Sequence, residues 1–183
     1  MEWVLPGTTL IVSRETADNV EDRFHAMFCA GGMVLSQVAG VSGLEPHTVQ
    51  NWVKRGFLRS PEGKRYTQRQ LCRILNINVL KAVMPLEQVC QLLSYVNGAL
   101  DDEGDDVIDD SALYFLFVRL ALRAKQLDDP ERLQQTLEEF LADYKEPVPG
   151  ARKRVENALR IMLVAWVAAK MRSAAEEMLK NLT

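Results

Sequence analysis

The fold is decided by residues 43–56, which read Gly-Leu-Glu-Pro-His-Thr-Val-Gln-Asn-Trp-Val-Lys-Arg-Gly. The first glycine permits a tight turn, and Pro46 suits the first turn of a helix because the amide that it lacks would be unpaired there. Gly56 is typical of a helix end. The stretch therefore predicts a turn followed by a helix over 46–55. The apolar face of this helix consists of Val49, Trp52 and Val53.

The opposite face of this helix is polar and carries His47, Gln50, Asn51 and Lys54 at helical spacing. Amide side chains suit adenine edges, and lysine suits guanine or phosphate. We therefore expect His47, Gln50 and Asn51 to contact DNA bases. The expected phosphate contacts are Lys54, Arg55, Lys64, Arg65 and Arg69.

The neighbouring segments complete a larger unit. Residues 35–41 predict a short helix, so that helix, glycine turn and second helix form a helix-turn-helix. Residues 58–66 read as a tight β-hairpin with Pro61 and Gly63 near its tip. Thr67 and Gln70 have capping-box spacing and predict another helix, and a further helix is expected to end at 97–98.

Several short runs in this region follow a known pattern. They are Leu35-Ser36-Gln37-Val38-Ala39, Gly43-Leu44, Thr48-Val49, Gly56-Phe57-Leu58, Lys64-Arg65-Tyr66, Leu71 and Leu86-Glu87-Gln88-Val89. In this order they resemble the MerR-type winged helix-turn-helix. More specifically, 51–54, 64–66 and 95–98 resemble runs of an uncharacterised bacterial family of unknown function built on that module. The resemblance covers roughly residues 30–120 and implies a DNA-binding regulator that forms a homodimer.

Two features depart from the MerR pattern. MerR proteins usually carry Arg-Tyr-Tyr where this chain has Gln50-Asn51-Trp52, and the hairpin here is shorter than a usual MerR wing.

Charge is distributed unevenly along the chain. The whole chain has a net charge of −3, but residues 35–81 contain eight basic and two acidic residues, which is +6 and leaves −9 for the rest. A basic segment within an acidic chain is the electrostatic pattern that phosphate binding requires. The alternative is a solvated surface that happens to be basic.

The cysteines and the N-terminus bear on the compartment. Cys29, Cys72 and Cys90 are odd in number and widely spaced, so we expect no disulfides and a cytoplasmic location. The start of the sequence lacks the pattern of a signal peptide. Residues 161–169 are uninterruptedly apolar but too few to span a bilayer, so no membrane partner is expected.

Four regions are predicted for the chain. Residues 1–32 form an N-terminal extension with a Pro6-Gly7 turn and one helix from about 16 to 29; residues 33–100 form the DNA-binding domain. Residues 101–110 contain seven carboxylates and predict a solvated acidic linker, although clustered oxygens also suit calcium. Their spacing does not match an EF-hand loop. Residues 111–183 are expected to form a helical dimerisation domain, with Asp110 capping its first helix.

The last predicted helix, residues 151–182, has two apolar stripes. One stripe is Val155, Leu159, Met162, Trp166 and Ala169; the other is Ala158, Ile161, Ala165, Ala168, Ala175 and Leu179. A helix that is apolar on two sides can pack on its own chain and on a second copy, so we expect a homodimer. A pocket for a small-molecule effector is possible among Tyr114, Phe117, Met162 and Trp166, but such a stripe is more often plain core.

Three functions compete. The first is a sequence-specific DNA-binding transcriptional regulator, and the whole fold is then predominantly all-α with a short hairpin wing. The second is a protein-interaction or effector-binding protein that keeps the fold without binding DNA, which the acidic net charge favours. The third is an enzyme. No glycine-rich phosphate loop, metal cluster or nucleophile motif is seen, and histidine occurs only at positions 25 and 47. We therefore expect no enzymatic activity and no cofactor.

Overall fold

A computed structural model describes residues 2–13, 19–100, 104–123 and 130–182, and these residues are predominantly helical. The elements in chain order are β1 (Glu2–Val4), β2 (Ile11–Ser13), α1 (Val20–Phe28), α2 (Leu35–Ser42), α3 (Pro46–Lys54), α4 (Gln68–Leu80), α5 (Leu86–Asn97), α6 (Asp110–Leu122), α7 (Pro130–Phe140) and α8 (Ala151–Lys180). The predicted helical class is confirmed. Helix α1 is found where a helix was predicted, although residues 16–18 of that prediction lie outside the described residues.

Helix α4 lies at the centre of the fold. Residues 71–77 are all buried, and α4 packs on α6, α8, α5 and α2. The predicted capping box at its start is confirmed. The Gln70 backbone N–H donates to Thr67 Oγ1 at 3.2 Å, and the Thr67 backbone N–H donates to the side-chain Oε1 of Gln70 at 2.9 Å. This reciprocal cap fixes where α4 begins and therefore where the preceding hairpin ends.

The N-terminal sheet was not predicted. β1 and β2 pair antiparallel, and Trp3 lies opposite Val12 with both side chains buried. Strands of three residues are too short to give a recognisable alternation, which explains the omission. The predicted Pro6-Gly7 turn is present and packs on α4. Gly7 has φ +72°, and a Cβ there would lie 2.7 Å from the Leu75 carbonyl oxygen, so a side chain has no room.

The acidic segment differs from its prediction. Within its described part, residues 104–110, Val107, Ile108 and Asp110 are buried, whereas 104, 105 and 109 are exposed, so only some of these residues are solvated as expected. The Asp110 carboxylate lies 3.3 Å from the buried Arg73 guanidinium. Burial raises the pKa of Asp110, and the charge of Arg73 opposes that rise. Asp109 caps α6 in place of the predicted Asp110, accepting from the Ser111 amide at 2.7 Å. The division into domains stays a prediction.

Helix α8 is buried on one side over its first half only. Val155, Leu159 and Met162 of the first predicted stripe are completely buried, as expected. The second predicted stripe is divided: Ala158 and Ala165 are buried, whereas Ile161, Ala168, Ala175 and Leu179 are exposed. All residues from 170 to 182 are exposed, so the end of α8 (residues 170–180) projects from the body of the fold.

Candidate nucleic-acid interface

Helix α3 has one buried and one exposed face, in the register that the sequence predicts. Val49 and Trp52 are buried, with 0% and 4% of their surface exposed. Lys81 Nζ lies 5.6 Å from the centre of the Trp52 ring, and partial burial lowers the pKa of Lys81. Gly56 follows the C-cap residue of the helix with φ +72°, and the Phe57 backbone amide donates to the Trp52 carbonyl at 2.9 Å. These contacts hold α3 in one orientation.

The exposed face of α3 is polar along its whole length. His47, Gln50, Asn51 and Lys54 are all exposed. Within the described ranges, none of these four side chains has a hydrogen-bond or ion-pair partner. Their donors and acceptors are therefore available to an external ligand. Glu45, directly before Pro46, is also exposed and was not among the predicted contacts.

The hairpin (residues 58–66) narrows to a two-residue tip. Glu62 and Arg65 form an antiparallel bridge, and Gly63 and Lys64 between them have φ +54° and +62°. This is the backbone of a type I′ turn, which normally takes asparagine or glycine at both central positions. A lysine in the left-handed region costs roughly 1–2 kcal/mol. The tip therefore holds the exposed Lys64 side chain at an energetic cost.

The hairpin is attached to the segment before α2. Tyr66 and Met33 exchange two backbone hydrogen bonds, of 2.7 and 2.9 Å. Arg65 Nη1 donates to the Gly32 carbonyl at 2.7 Å. A Cβ at Gly32 would lie 2.8 Å from the Tyr66 carbonyl oxygen, so this contact requires glycine. The Arg65 side chain remains exposed, but its hydrogen bond to the Gly32 carbonyl fixes its orientation.

Among the residues that the structure describes, three basic side chains are paired with acids from outside the basic segment. Arg55 lies 2.6 Å from Glu87, Arg69 is bound to Asp106, and Arg73 pairs with Asp110. The charge of residues 35–81 together with these three acids is +3 rather than +6. The acids follow their partners by more than thirty residues, so no local pattern predicts them.

The predicted phosphate contacts fall into two groups. Lys54, Lys64 and Arg65 are exposed around α3 and the hairpin. Arg55 is exposed but held by Glu87 and by the face of the Phe57 ring, 4.5 Å from the guanidinium carbon. The pKa of Glu87 is lowered by its own backbone hydrogen bond and then by Arg55. Arg69 is half-buried in its pair with Asp106.

The four residues of the predicted effector pocket lie in and beside the core. Tyr114, Phe117 and Met162 are completely buried, and Trp166 is half-buried. The Tyr114 hydroxyl donates to the Pro6 carbonyl at 2.9 Å, which ties α6 to the N-terminal turn. The complete burial of Tyr114, Phe117 and Met162 fits the alternative interpretation of the sequence, in which these residues form part of the core.

A cavity lined mainly by polar and charged residues lies between the hairpin, the start of α4 and the end of α5. Its volume is about 190 Å³. Asn97 lines it, is only 3% exposed, and donates from Nδ2 to the Ile108 carbonyl. Asn97 Oδ1 has no hydrogen-bond partner among the residues that the structure describes. Asn97 thus borders the cavity, and its buried Oδ1 is unpaired among the described residues.

The described residues contain neither a candidate metal centre nor a candidate membrane-spanning helix. No three His, Cys, Asp or Glu side chains in ranges 2–13, 19–100, 104–123 and 130–182 are grouped so that they could hold a metal ion. None of the helices in those ranges has both the length and the apolar character required to cross a bilayer.

Residues 32–117 match a protein family described as a domain of unknown function, DUF1836. The chain is also 28% identical over 110 residues to the uncharacterised protein YkrK of Bacillus subtilis (strain 168). That alignment covers 58% of this chain and 47% of the relative, so the chain spans about half the length of the relative. No solved structure matches the chain. The predicted resemblance to an uncharacterised family of unknown function is thus confirmed. The MerR-like winged helix-turn-helix stays a prediction.

Proposed function

We propose that the protein is a sequence-specific DNA-binding transcriptional regulator that acts in the cytoplasm as a homodimer. In this proposal α2, the turn at residues 43–45 and α3 form a MerR-like helix-turn-helix, and the hairpin serves as its wing. The single observation that carries the proposal is the exposed polar face of α3, whose four side chains lack partners within the described residues.

The chemistry of that face suits the major groove. Gln50 and Asn51 each offer an amide, which can form a bidentate pair with adenine. His47 stands one turn earlier on the same exposed face. A groove of about 12 Å admits a single helix, and the buried Val49 and Trp52 keep the other side of α3 on the protein.

Phosphate contacts would flank the helix on two sides. Lys54 lies at the end of α3, and Lys64 and Arg65 lie at the hairpin. The strained φ of Lys64 supports a role for its side chain, because a glycine or asparagine would form the same turn without that cost. Arg55 would join these phosphate contacts by releasing the Glu87 carboxylate and pairing with a phosphate instead. We do not include Arg69, whose guanidinium is bound to Asp106.

Two copies would present two α3 helices. In a two-fold dimer their half-sites would be separated by about one helical turn of DNA, roughly 34 Å. The direct test is the binding of the intact protein to a library of DNA duplexes at low salt and then at physiological salt. We expect a selected sequence to be retained at both. Loss of every duplex even at low salt would refute the proposal.

The second candidate is an effector-binding or protein-interaction protein that does not bind DNA. The cavity beside Asn97 favours it, because its polar and charged lining residues could orient a small molecule. The pairing of Arg55, Arg69 and Arg73 with acids also favours it, since it lowers the charge available for phosphate. Retention of duplex DNA in the library experiment separates the two candidates.

A further inference from the structure

The C-terminal end of α2 is the point at which the chain turns towards α3. The last four carbonyls of a helix have no partner within that helix. In α2 these carbonyls belong to residues 39–42, and each of them accepts a hydrogen bond. The Gly43 backbone amide satisfies the first of them at 2.8 Å. The other three accept from side chains and backbone that lie more than thirty residues away in the sequence.

Thr9, in the loop between β1 and β2, supplies partners for two of these carbonyls. The Thr9 backbone amide donates to the Val41 carbonyl at 2.8 Å, and the Thr9 hydroxyl donates to the Gly40 carbonyl at 2.6 Å. The methyl group of Thr9 also lies against the turn, since a Cβ added at Gly43 would be 3.0 Å from Thr9 Cγ2. Thr9 therefore caps α2 from outside the helix.

Asn78 of α4 supplies the partner for the last carbonyl. Its Nδ2 donates to the Ser42 carbonyl at 2.8 Å and to the Gly7 carbonyl at 2.9 Å. One side-chain amide thus joins the end of α2, the central helix α4 and the loop between β1 and β2. We call Thr9, Asn78 and the carbonyls of residues 40–42 the α2 junction.

The orientation of α3 depends on the α2 junction. α3 packs on α2, and α2 packs on α4. Three residues, 43–45, connect α2 to α3, so a rotation at the end of α2 is passed directly to the start of α3. A binding site needs its contacting groups held within about 10–20° of the productive geometry by supporting hydrogen bonds. The junction provides such support for the exposed face of α3.

We propose that Thr9 and Asn78 are positioning residues for α3, and that the N-terminal segment (residues 2–13) is part of the unit that reads DNA. This inference rests on the proposed function, because it specifies what fixes the helix that discriminates between bases. It extends that unit beyond the predicted DNA-binding domain, residues 33–100, and beyond residues 32–117, which match the family.

The α2 junction acts on specific binding rather than on binding to any duplex. A helix that is free to rotate must be ordered when DNA binds, and this cost weakens every base contact that requires a fixed orientation. Binding to random DNA depends mainly on phosphate charge, which tolerates such rotation. Loss of the junction should therefore reduce sequence discrimination and leave the affinity for random duplex unchanged.

The first measurement uses the full chain without DNA. Thr9→Val removes the hydroxyl but keeps a methyl group and the branched shape, and it changes no charge. Amide hydrogen exchange at Gly43 should become about 2- to 10-fold faster, the factor that corresponds to one lost hydrogen bond. Asn78→Leu removes two hydrogen bonds in a side chain of similar size and should accelerate the exchange further. Thr136→Val on α7 is the matched control and should leave the exchange at Gly43 unchanged.

The second measurement compares the selected duplex with a random duplex. Thr9→Val should weaken binding to the selected duplex by about 2- to 10-fold, and binding to the random duplex should stay the same because the charge is unaltered. Thr136→Val should change neither affinity. Equal losses of both affinities in Thr9→Val, together with a lower free energy of unfolding, would assign Thr9 to stability alone and overturn the inference.

The two measurements separate this inference from the proposed function. Unchanged exchange at Gly43 in both Thr9→Val and Asn78→Leu would overturn the inference whatever the protein binds. Faster exchange with an unaltered ratio of the two affinities would overturn it while DNA binding stands. A wild-type protein that retains no duplex would instead refute the proposed function, and with it the DNA-reading part of the inference, whereas the exchange data would still decide whether the junction holds α3.

Discussion

Helix α3 and the projecting end of α8 both expose a helical face, but the two faces are opposite in character. α3 exposes an imidazole, two amides and an ammonium, whereas Val49 and Trp52 on its other face are buried and Val53 is half-buried. The end of α8 exposes Met171, Met178 and Leu182. Water can form hydrogen bonds with the polar groups of α3. Each Å² of apolar surface that the end of α8 leaves in water costs about 25 cal/mol of free energy. The comparison teaches that α3 is suited to a polar ligand and that α8 is suited to another apolar surface.

The largest expected effect concerns the buried face of α3. Trp52→Ala should lower the free energy of unfolding by about 3–5 kcal/mol, because it leaves a cavity under the helix. Asn51→Ala, one position away on the exposed face, should change it by less than about 0.5 kcal/mol. Urea denaturation of both variants measures the difference. Equal losses would mean that α3 does not have the two distinct faces described here.

The next effect contrasts a buried ion pair with an exposed one. Asp110→Ala should cost about 3 kcal/mol of stability, since it leaves the Arg73 charge buried without its carboxylate. We expect the lower end of the usual range because Arg73 Nε keeps its 3.0 Å hydrogen bond to the Phe57 carbonyl. Glu87→Ala should leave stability unchanged within error, as its pair with Arg55 is exposed. Chemical denaturation of the two variants tests this, and a larger loss in Glu87→Ala would contradict it.

The exposed face of α3 should determine base discrimination. Gln50→Ala or Asn51→Ala should lose about 1–3 kcal/mol of preference for the selected duplex over a mismatched one, the value of a bidentate base contact. Ser173→Ala on α8 should leave that preference unaltered. Competition between the two duplexes measures it. A preference retained in both α3 variants would place base recognition elsewhere on the molecule.

The hairpin should act on all sequences alike. Lys64→Ala should weaken binding to every duplex and reduce the slope of affinity against salt by about one unit, because one phosphate contact is lost. Titration at several salt concentrations gives the slope. Lys170→Ala, which removes a lysine from the projecting end of α8, serves as the control with an unchanged slope. A shift in sequence preference in Lys64→Ala would point to base contact by the hairpin.

The smallest effect is a pH dependence. Burial raises the pKa of folded Asp110 above its unfolded value of about 3.9. The folded protein then holds this proton more tightly than the unfolded chain, so the contribution of Asp110 is largest below pH 3.9 and is lost as pH rises through the raised pKa. The stability of wild type relative to Asp110→Asn should therefore fall over that window. A rise instead would mean that the charge of Arg73 outweighs burial.

The elements that the sequence predicted well share one property: their signals are local. The faces of α3, the capping box of Thr67 and Gln70 and the Pro6-Gly7 turn each depend on residues close together in the chain. Helix periodicity and cap chemistry operate over one or two turns, so a single sequence is sufficient to show them.

The predictions that failed concern residues far apart. Nothing near Asp106 or Asp110 shows that each pairs with an arginine 37 residues earlier, and a run of carboxylates therefore resembles a solvated linker. The two strands of three residues cannot be recognised from local sequence either, because their stability comes from Trp3 and Val12 packing on the core.

The sequence by itself determined the helical class, the bounds of α2 and α3 and the polar face that α3 exposes. Tertiary structure alone decided which cations remain available, since pairing with distant acids lowers the local charge from +6 to +3. It also decided which side of α8 is free. The apolar residues of that helix permit several stripes. Packing against α4, α5 and α6 buries one of them and leaves Ile161, Val164 and Ala168 in water. Both decisions depend on which surfaces meet in three dimensions, a property that no local spacing encodes.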